Sequence, residues 1–113
     1  MADVVLALGF DLFFKPKLSA AAAQAGVELR YAPPAEASRA AAGAARVVAD
    51  VSAPGVEEAL AALRKERPDV PILACYPHVE VRRAEAVRAL GGVAVTRGHF
   101  AQHLVEALAG TLA

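Results

Sequence analysis

Val47-Val48-Ala49-Asp50-Val51-Ser52-Ala53-Pro54-Gly55 decides how this chain is read. Val47 to Ala49 is short, apolar and β-branched, the composition of a strand covered on both faces. Pro54 and Gly55 end that run and turn the chain. Glu57, Glu58 and the apolar positions after them begin a helix. Asp50 therefore stands at the carboxyl end of a central strand, where open α/β sheets place their chemistry.

On the amino-terminal side, Asp3 to Leu8 is another apolar run, closed by Gly9 with Phe10 and Asp11 at its carboxyl end. A helix follows. It starts between Asp11, an N-cap residue type, and Pro16, a first-turn residue type, and ends at Gly26. Phe14, Leu18, Ala21, Ala22 and Ala25 make its apolar stripe. Val27 to Tyr31 alternates apolar and charged residues, as a strand nearer an edge does. Pro33 and Pro34 break the chain, and Ala35 to Ala45 reads as an alanine-rich helix with almost no large apolar residue.

On the carboxyl-terminal side, Val56 to Arg67 is a helix with Val56, Ala59, Leu60 and Leu63 on one face, closed by Pro68. Pro71 opens a fourth strand, Ile72 to Cys75, followed by Tyr76-Pro77-His78. Val79 to Leu90 is helical with arginines on its outer face, and Gly91-Gly92 ends it. Val93 to Thr96 is a fifth strand with Arg97-Gly98-His99 at its end. Phe100 to Leu112 forms the last helix, with Phe100, Leu104, Ala107, Leu108 and Thr111 inward. This alternation predicts one α/β domain over residues 1–113. It is a doubly wound five-stranded parallel sheet, flavodoxin-like in strand order 2-1-3-4-5, with helices on both faces.

Composition removes several function classes. The 113 residues are 57% hydrophobic and 21% charged, the balance of a folded domain. Twelve basic and twelve acidic residues give a formal net charge of zero, which argues against a nucleic-acid partner. The single cysteine, Cys75, excludes an internal disulfide and fits a reducing compartment. Val4 to Phe14 is too short to span a bilayer and is interrupted by Asp11, so a cytoplasmic protein with no membrane partner is expected. No serine or cysteine nucleophile lies at a recognisable spacing from a base, and no close carboxylate pair is evident, so an enzyme is not expected. The Gly9 turn lacks a glycine-rich phosphate-binding pattern.

The order and spacing of these pieces resemble the CheY-like receiver domain of bacterial two-component response regulators. The resemblance rests on Asp50 with Pro54-Gly55, on Pro71-Ile72-Leu73, on Gly91-Gly92 and on Phe100. It implies that Asp50 is the phosphoacceptor-equivalent residue. It also implies an acidic pair at the end of the first strand to hold Mg²⁺, but Gly9 and Phe10 fall there. Asp11 is the remaining acid, so Mg²⁺ is expected only with Asp11 and Asp50 as ligands. The family's small hydroxyl becomes Tyr76, with Cys75 as the alternative. Its lysine becomes Arg97, and the proline after it becomes Gly98. Phe10, Phe13 and Phe14 are expected to close the rim where the metal pocket would open.

These departures imply a stand-alone pseudo-receiver that works by protein–protein contact without phosphorylation or cofactor. The partner would be a histidine kinase, a downstream regulator or a second copy of the chain, docking on Arg82, Arg83 and Arg88. A phosphorylatable regulator is the alternative, and a flavodoxin-like domain binding a nucleotide or other small molecule the second. In the structural reading Asp50 accepts hydrogen bonds from Ser52 or nearby amides and pairs with Arg97. His99 and His103, with His78 and Cys75 near, present either a metal site or surface histidines.

Overall fold

The computed structural model describes residues 2–112. Five parallel strands, β1 (Val4–Leu8), β2 (Glu28–Tyr31), β3 (Arg46–Asp50), β4 (Ile72–Tyr76) and β5 (Val93–Thr96), form one sheet in the order β2-β1-β3-β4-β5. The helices are α1 (Lys15–Ala25), α2 (Ala37–Ala40), α3 (Val56–Glu66), α4 (Val81–Ala89), α5 (Arg97–Gln102) and α6 (Leu104–Ala109). Because a strand sends alternate side chains to opposite faces, each buried strand serves two cores. Leu6, Leu8, Val47, Ala49, Ile72 and Ala74 meet α2, α3 and α4 on one side. Val5, Ala7, Val48, Leu73, Cys75 and Val95 meet α1, α5 and α6 on the other.

The pairing aligns the carboxyl ends of the central strands. Leu8 lies beside Ala49, Asp50 beside Cys75, and Tyr76 beside Thr96. Gly55 adopts φ +82° as the residue before α3, which lets the chain leave β3, turn and start a helix within a few residues.

Three elements and one side chain differ from the sequence expectation. The Ala35–Ala45 segment is a 3₁₀ turn (Pro34–Glu36) followed by only the four-residue α2. Alanine propensity alone does not extend a helix that has only Ala37 and Ala41 to bury. Helix α4 starts at Val81, leaving Val79 on an exposed loop. The single last helix is instead α5 and α6, broken at His103, whose φ/ψ of −132°/41° is not helical. Thr111 is exposed rather than inward, because α6 ends at Gly110 and the Thr111 N–H bonds back to the Glu106 carbonyl at 2.9 Å.

Arginines clamp carbonyls left free where helices end. Arg30 Nη1 donates to the Ala40 and Ala42 carbonyls at 2.6 and 2.8 Å. Arg46 Nη1 donates to Leu108 at 2.8 Å, and Arg64 Nε to Leu90 at 2.7 Å. A cation at a helix carboxyl end satisfies orphan carbonyls and meets the negative end of the helix dipole.

Candidate functional site

The carboxyl edge of the sheet brings three of the expected residues together. Asp50 ends β3, Ser52 lies in the turn after it, and Arg97 opens α5 directly after β5. The Ser52 N–H and hydroxyl both donate to Asp50 Oδ1, at 3.0 and 2.6 Å. Arg97 Nη2 donates to Asp50 Oδ1 and Oδ2 at 3.2 and 2.9 Å and also to the Ser52 hydroxyl oxygen. Thr96 sets the start of α5, its hydroxyl oxygen accepting the His99 N–H at 3.2 Å, a side-chain N-cap that fixes where Arg97 begins. Cys75 lies buried next to this cluster. Burial pushes its thiol up to about 12, the Asp50 charge adds to that, and Arg97 opposes it.

The other expected rim residues go elsewhere. Asp11 is exposed, and its Oδ1 accepts the Phe14 N–H at 2.9 Å, capping the turn that leads into α1. Phe10 turns into the α1–α6 core, where its ring stacks on Phe100 with centroids 5.4 Å apart and lies 5.2 Å from Phe14. Phe13 does not close the rim: it is 89% exposed, beside Leu12, which is exposed too. Residues 10, 13 and 14 cannot all face inward, because the loop rotates each differently. Tyr76 ends β4 and leans on the core of the α2–α4 side rather than joining the Asp50 cluster.

The arginine face is split. Arg82 and Arg88 are exposed on α4. Arg83, grouped with them on sequence, is turned inward along the rim. It donates to Glu80 at 2.6 Å, to Glu57 at 3.1 Å and to the Val51 carbonyl at 2.9 Å. The Glu80 hydrogen bond, then the Glu80, Glu57 and Asp50 charges, hold its guanidinium above its ordinary pKa. Sequence reading missed this clamp, which ties α4 to α3 and to the turn after Asp50. The histidines also form a local pair: His99 and His103 rings lie 4.5 Å apart, and His103 Nδ1 lies 3.0 Å from Glu106 Oε2. That contact holds the Glu106 carboxyl below its usual range. Among the described residues no three His, Cys, Asp or Glu side chains are placed to share a metal ion, so these histidines, His78 and Cys75 do not converge.

Solved structures with the same topology fix the fold. The chemotaxis response regulator CheY4 of Vibrio cholerae matches at TM-score 0.79 and 22% identity, over 99% of this chain and 100% of that one. This is the CheY-like receiver fold. A response regulator receiver domain protein from Clostridium thermocellum matches at TM-score 0.81 and 16% identity, over 96% of this chain and 93% of that one. A response regulator protein from Burkholderia multivorans matches at 28% identity and TM-score 0.62, over 100% and 99%. The sequence matches no family model and no curated protein.

The donor set at this receiver edge does not fit Mg²⁺, which demands several oxygen ligands in octahedral geometry. Gly9 supplies none, and a Cβ there would lie 2.8 Å from the Asp50 carbonyl oxygen and 2.9 Å from Val56 Cγ2. Phe10 is in the core, the Asp11 carboxylate is engaged by Phe14, and a guanidinium already faces both Asp50 oxygens. The edge has the charge balance of a closed ion pair.

Proposed function

We propose that the chain is a pseudo-receiver: a regulatory module of two-component type that acts by protein–protein contact, without phosphorylation of Asp50, without a cofactor and without enzymatic activity. The observation that carries this reading is the Arg97 guanidinium on both oxygens of Asp50, with Ser52 on one of them. Phosphoryl transfer to a carboxylate is chiefly a matter of positioning and electrostatics. Here the carboxylate is neutralised by a cation from its own chain, and the neighbouring acid is replaced by Gly9.

A cytoplasmic histidine kinase or downstream regulator is the partner class this reading assigns, with exposed Arg82 and Arg88 supplying the docking charge. A homodimer through the same face belongs to the same proposal. No helix among the described residues is long and apolar enough to cross a membrane.

The test is an amide NMR spectrum recorded with Mg²⁺ and then with beryllofluoride, an acyl-phosphate mimic. An unchanged spectrum of the folded protein is expected. Shifts spreading from Asp50 through Arg97 would overturn the reading in favour of a phosphorylatable regulator.

A further inference from the structure

We propose that His99 and His103 chelate a borderline divalent metal ion, Zn²⁺, Ni²⁺ or Cu²⁺, at the joint between α5 and α6, as a regulatory ligand rather than a cofactor for a reaction. The two residues stand four apart in sequence, and their ring centroids lie 4.5 Å apart. The site uses none of the side chains that hold Asp50, so it stands independently of the reading given to that edge.

Ring separation decides what two imidazoles can share. A metal–nitrogen bond of about 2.0–2.1 Å, with a bite between a right angle and the tetrahedral value, puts the centroids of two chelating rings roughly 4.5–5.2 Å apart. The observed separation meets that range, and the 43° tilt between the rings is not that of a face-to-face stack. His103 is already oriented as metal-bound histidines are. Its Nδ1 lies 3.0 Å from Glu106 Oε2. A carboxylate only accepts, so Nδ1 carries the proton, and in the neutral ring Nε2 keeps the lone pair. A carboxylate on the far nitrogen fixes the ring and strengthens it as a ligand. His99 is exposed, and the terminal torsion of a histidine is soft, so its ring can turn to a shared ion at little cost.

The donor set selects the ion. Imidazole nitrogen suits Zn²⁺, Ni²⁺ and Cu²⁺, whereas Mg²⁺ and Ca²⁺ take oxygen. Two protein ligands, not three, leave the other coordination positions to water, and the ion stays exchangeable. Its effect would fall on the joint. His103 ends α5, its N–H donating to the Phe100 carbonyl at 3.1 Å, and begins α6, its carbonyl accepting the Ala107 N–H at 2.9 Å. A metal that ties its ring to His99 spans this break and fixes α5, which opens with Arg97, against α6.

The experiment is titration of the untagged full chain with ZnCl₂, read by the histidine ring resonances in NMR and by calorimetry. The chain has three histidines, so His78 is an internal control. The expected result is one ion per chain, with His99 and His103 shifted together, His78 unmoved and excess Mg²⁺ without effect. His99→Gln and His103→Gln should each weaken binding about tenfold or more, because either leaves a single bond where two were linked. Glu106→Gln should weaken it about tenfold with both ligands in place. His78→Gln should leave it unchanged, and circular dichroism establishes that each variant is folded. No binding, equal shifts of all three histidines, or an affinity unaltered by His99→Gln would overturn the proposal. None of these outcomes touches the Asp50 reading, which the beryllofluoride spectrum decides separately.

Discussion

Arg97 Nη2 lies 2.9 Å from Asp50 Oδ2 and 3.2 Å from Oδ1, and the two side chains are unequally exposed, 46% for Arg97 and 15% for Asp50. The pair therefore should not break symmetrically. Arg97→Met leaves a largely buried carboxylate with only Ser52 to satisfy it, at an expected cost of about 1–3 kcal/mol. Asp50→Asn leaves a half-exposed guanidinium that water can solvate, at an expected cost under about 1 kcal/mol. Urea titration of both variants measures this. Equal costs would mean that Asp50 is hydrated in solution and the bridge contributes little.

The space at Gly9 makes a second expectation. Its φ of +84° is strained for any other residue, and an added Cβ would meet the Asp50 carbonyl oxygen at 2.8 Å. Gly26 is the internal control: it shares a positive φ, 71°, but nothing lies within 4 Å of its added Cβ. Gly26→Ala should cost about 1 kcal/mol from backbone strain alone, and Gly9→Ala about 2–4 kcal/mol because a backbone atom must also move. Gly9→Asp, the acid that the receiver pattern asks for, should therefore destabilise without creating Mg²⁺ affinity. Calorimetric titration with Mg²⁺ checks it, and tight binding by a folded Gly9→Asp protein would show that the loop yields.

Much of the receiver edge was legible because strand-end positions follow from chain order. Five apolar runs alternating with helical periodicity dictate a parallel sheet, and that sheet places Asp50 and Arg97 on one edge. An acid and a base at those ends had few other partners. What sequence could not resolve was rotation within loops. Phe10, Phe13 and Phe14 are chemically alike, yet the turn capped by Asp11 buries Phe10 and exposes Phe13. The Arg83 clamp was hidden for a different reason: its partners Glu57 and Val51 are 26 and 32 residues away and meet it only when α3 and α4 lie side by side. The break at His103 involves no proline or glycine, so no local signal marked it.

Cys75 gives stability a definite alkaline slope. Its folded-state pKa is raised to about 12 from an ordinary 9.0, so the folded chain holds a proton that the unfolded chain releases first. The thiol's contribution is complete below about pH 9 and is lost as pH rises toward 12. The slope approaches roughly 1.4 kcal/mol per pH unit within that window. The measurement is the difference between wild type and Cys75→Ala in urea stability from pH 8 upward, which isolates the thiol. The two curves should converge as pH rises. Parallel curves would mean that the thiol ionises as readily folded as unfolded. Asp50→Asn should lower the thiol's pKa and Arg97→Met should raise it, since those neighbours act with opposite signs.

Arg82 and Arg83 are adjacent in sequence and opposite in role. Arg83 joins Glu80, Glu57 and the Val51 carbonyl, so Arg83→Gln removes contacts between α4, α3 and the turn after Asp50 at one stroke. Its loss also leaves Glu57 and Glu80 without their shared cation, and the two carboxylates then oppose each other across the cleft. Arg83→Gln should lower the urea midpoint, more at low salt than at high salt as screening weakens the ion pairs. Arg82→Gln should leave the midpoint unchanged, since Arg82 is exposed. Self-association and partner binding should behave the other way. On the proposed function, Arg82→Glu with Arg88→Glu reverses the exposed charge of α4 and should weaken self-association, as read by analytical ultracentrifugation. An Arg82/Arg88 reversal that leaves self-association unchanged, with Arg83→Gln altering it, would move the proposed docking surface from the outer face of α4 to the rim itself.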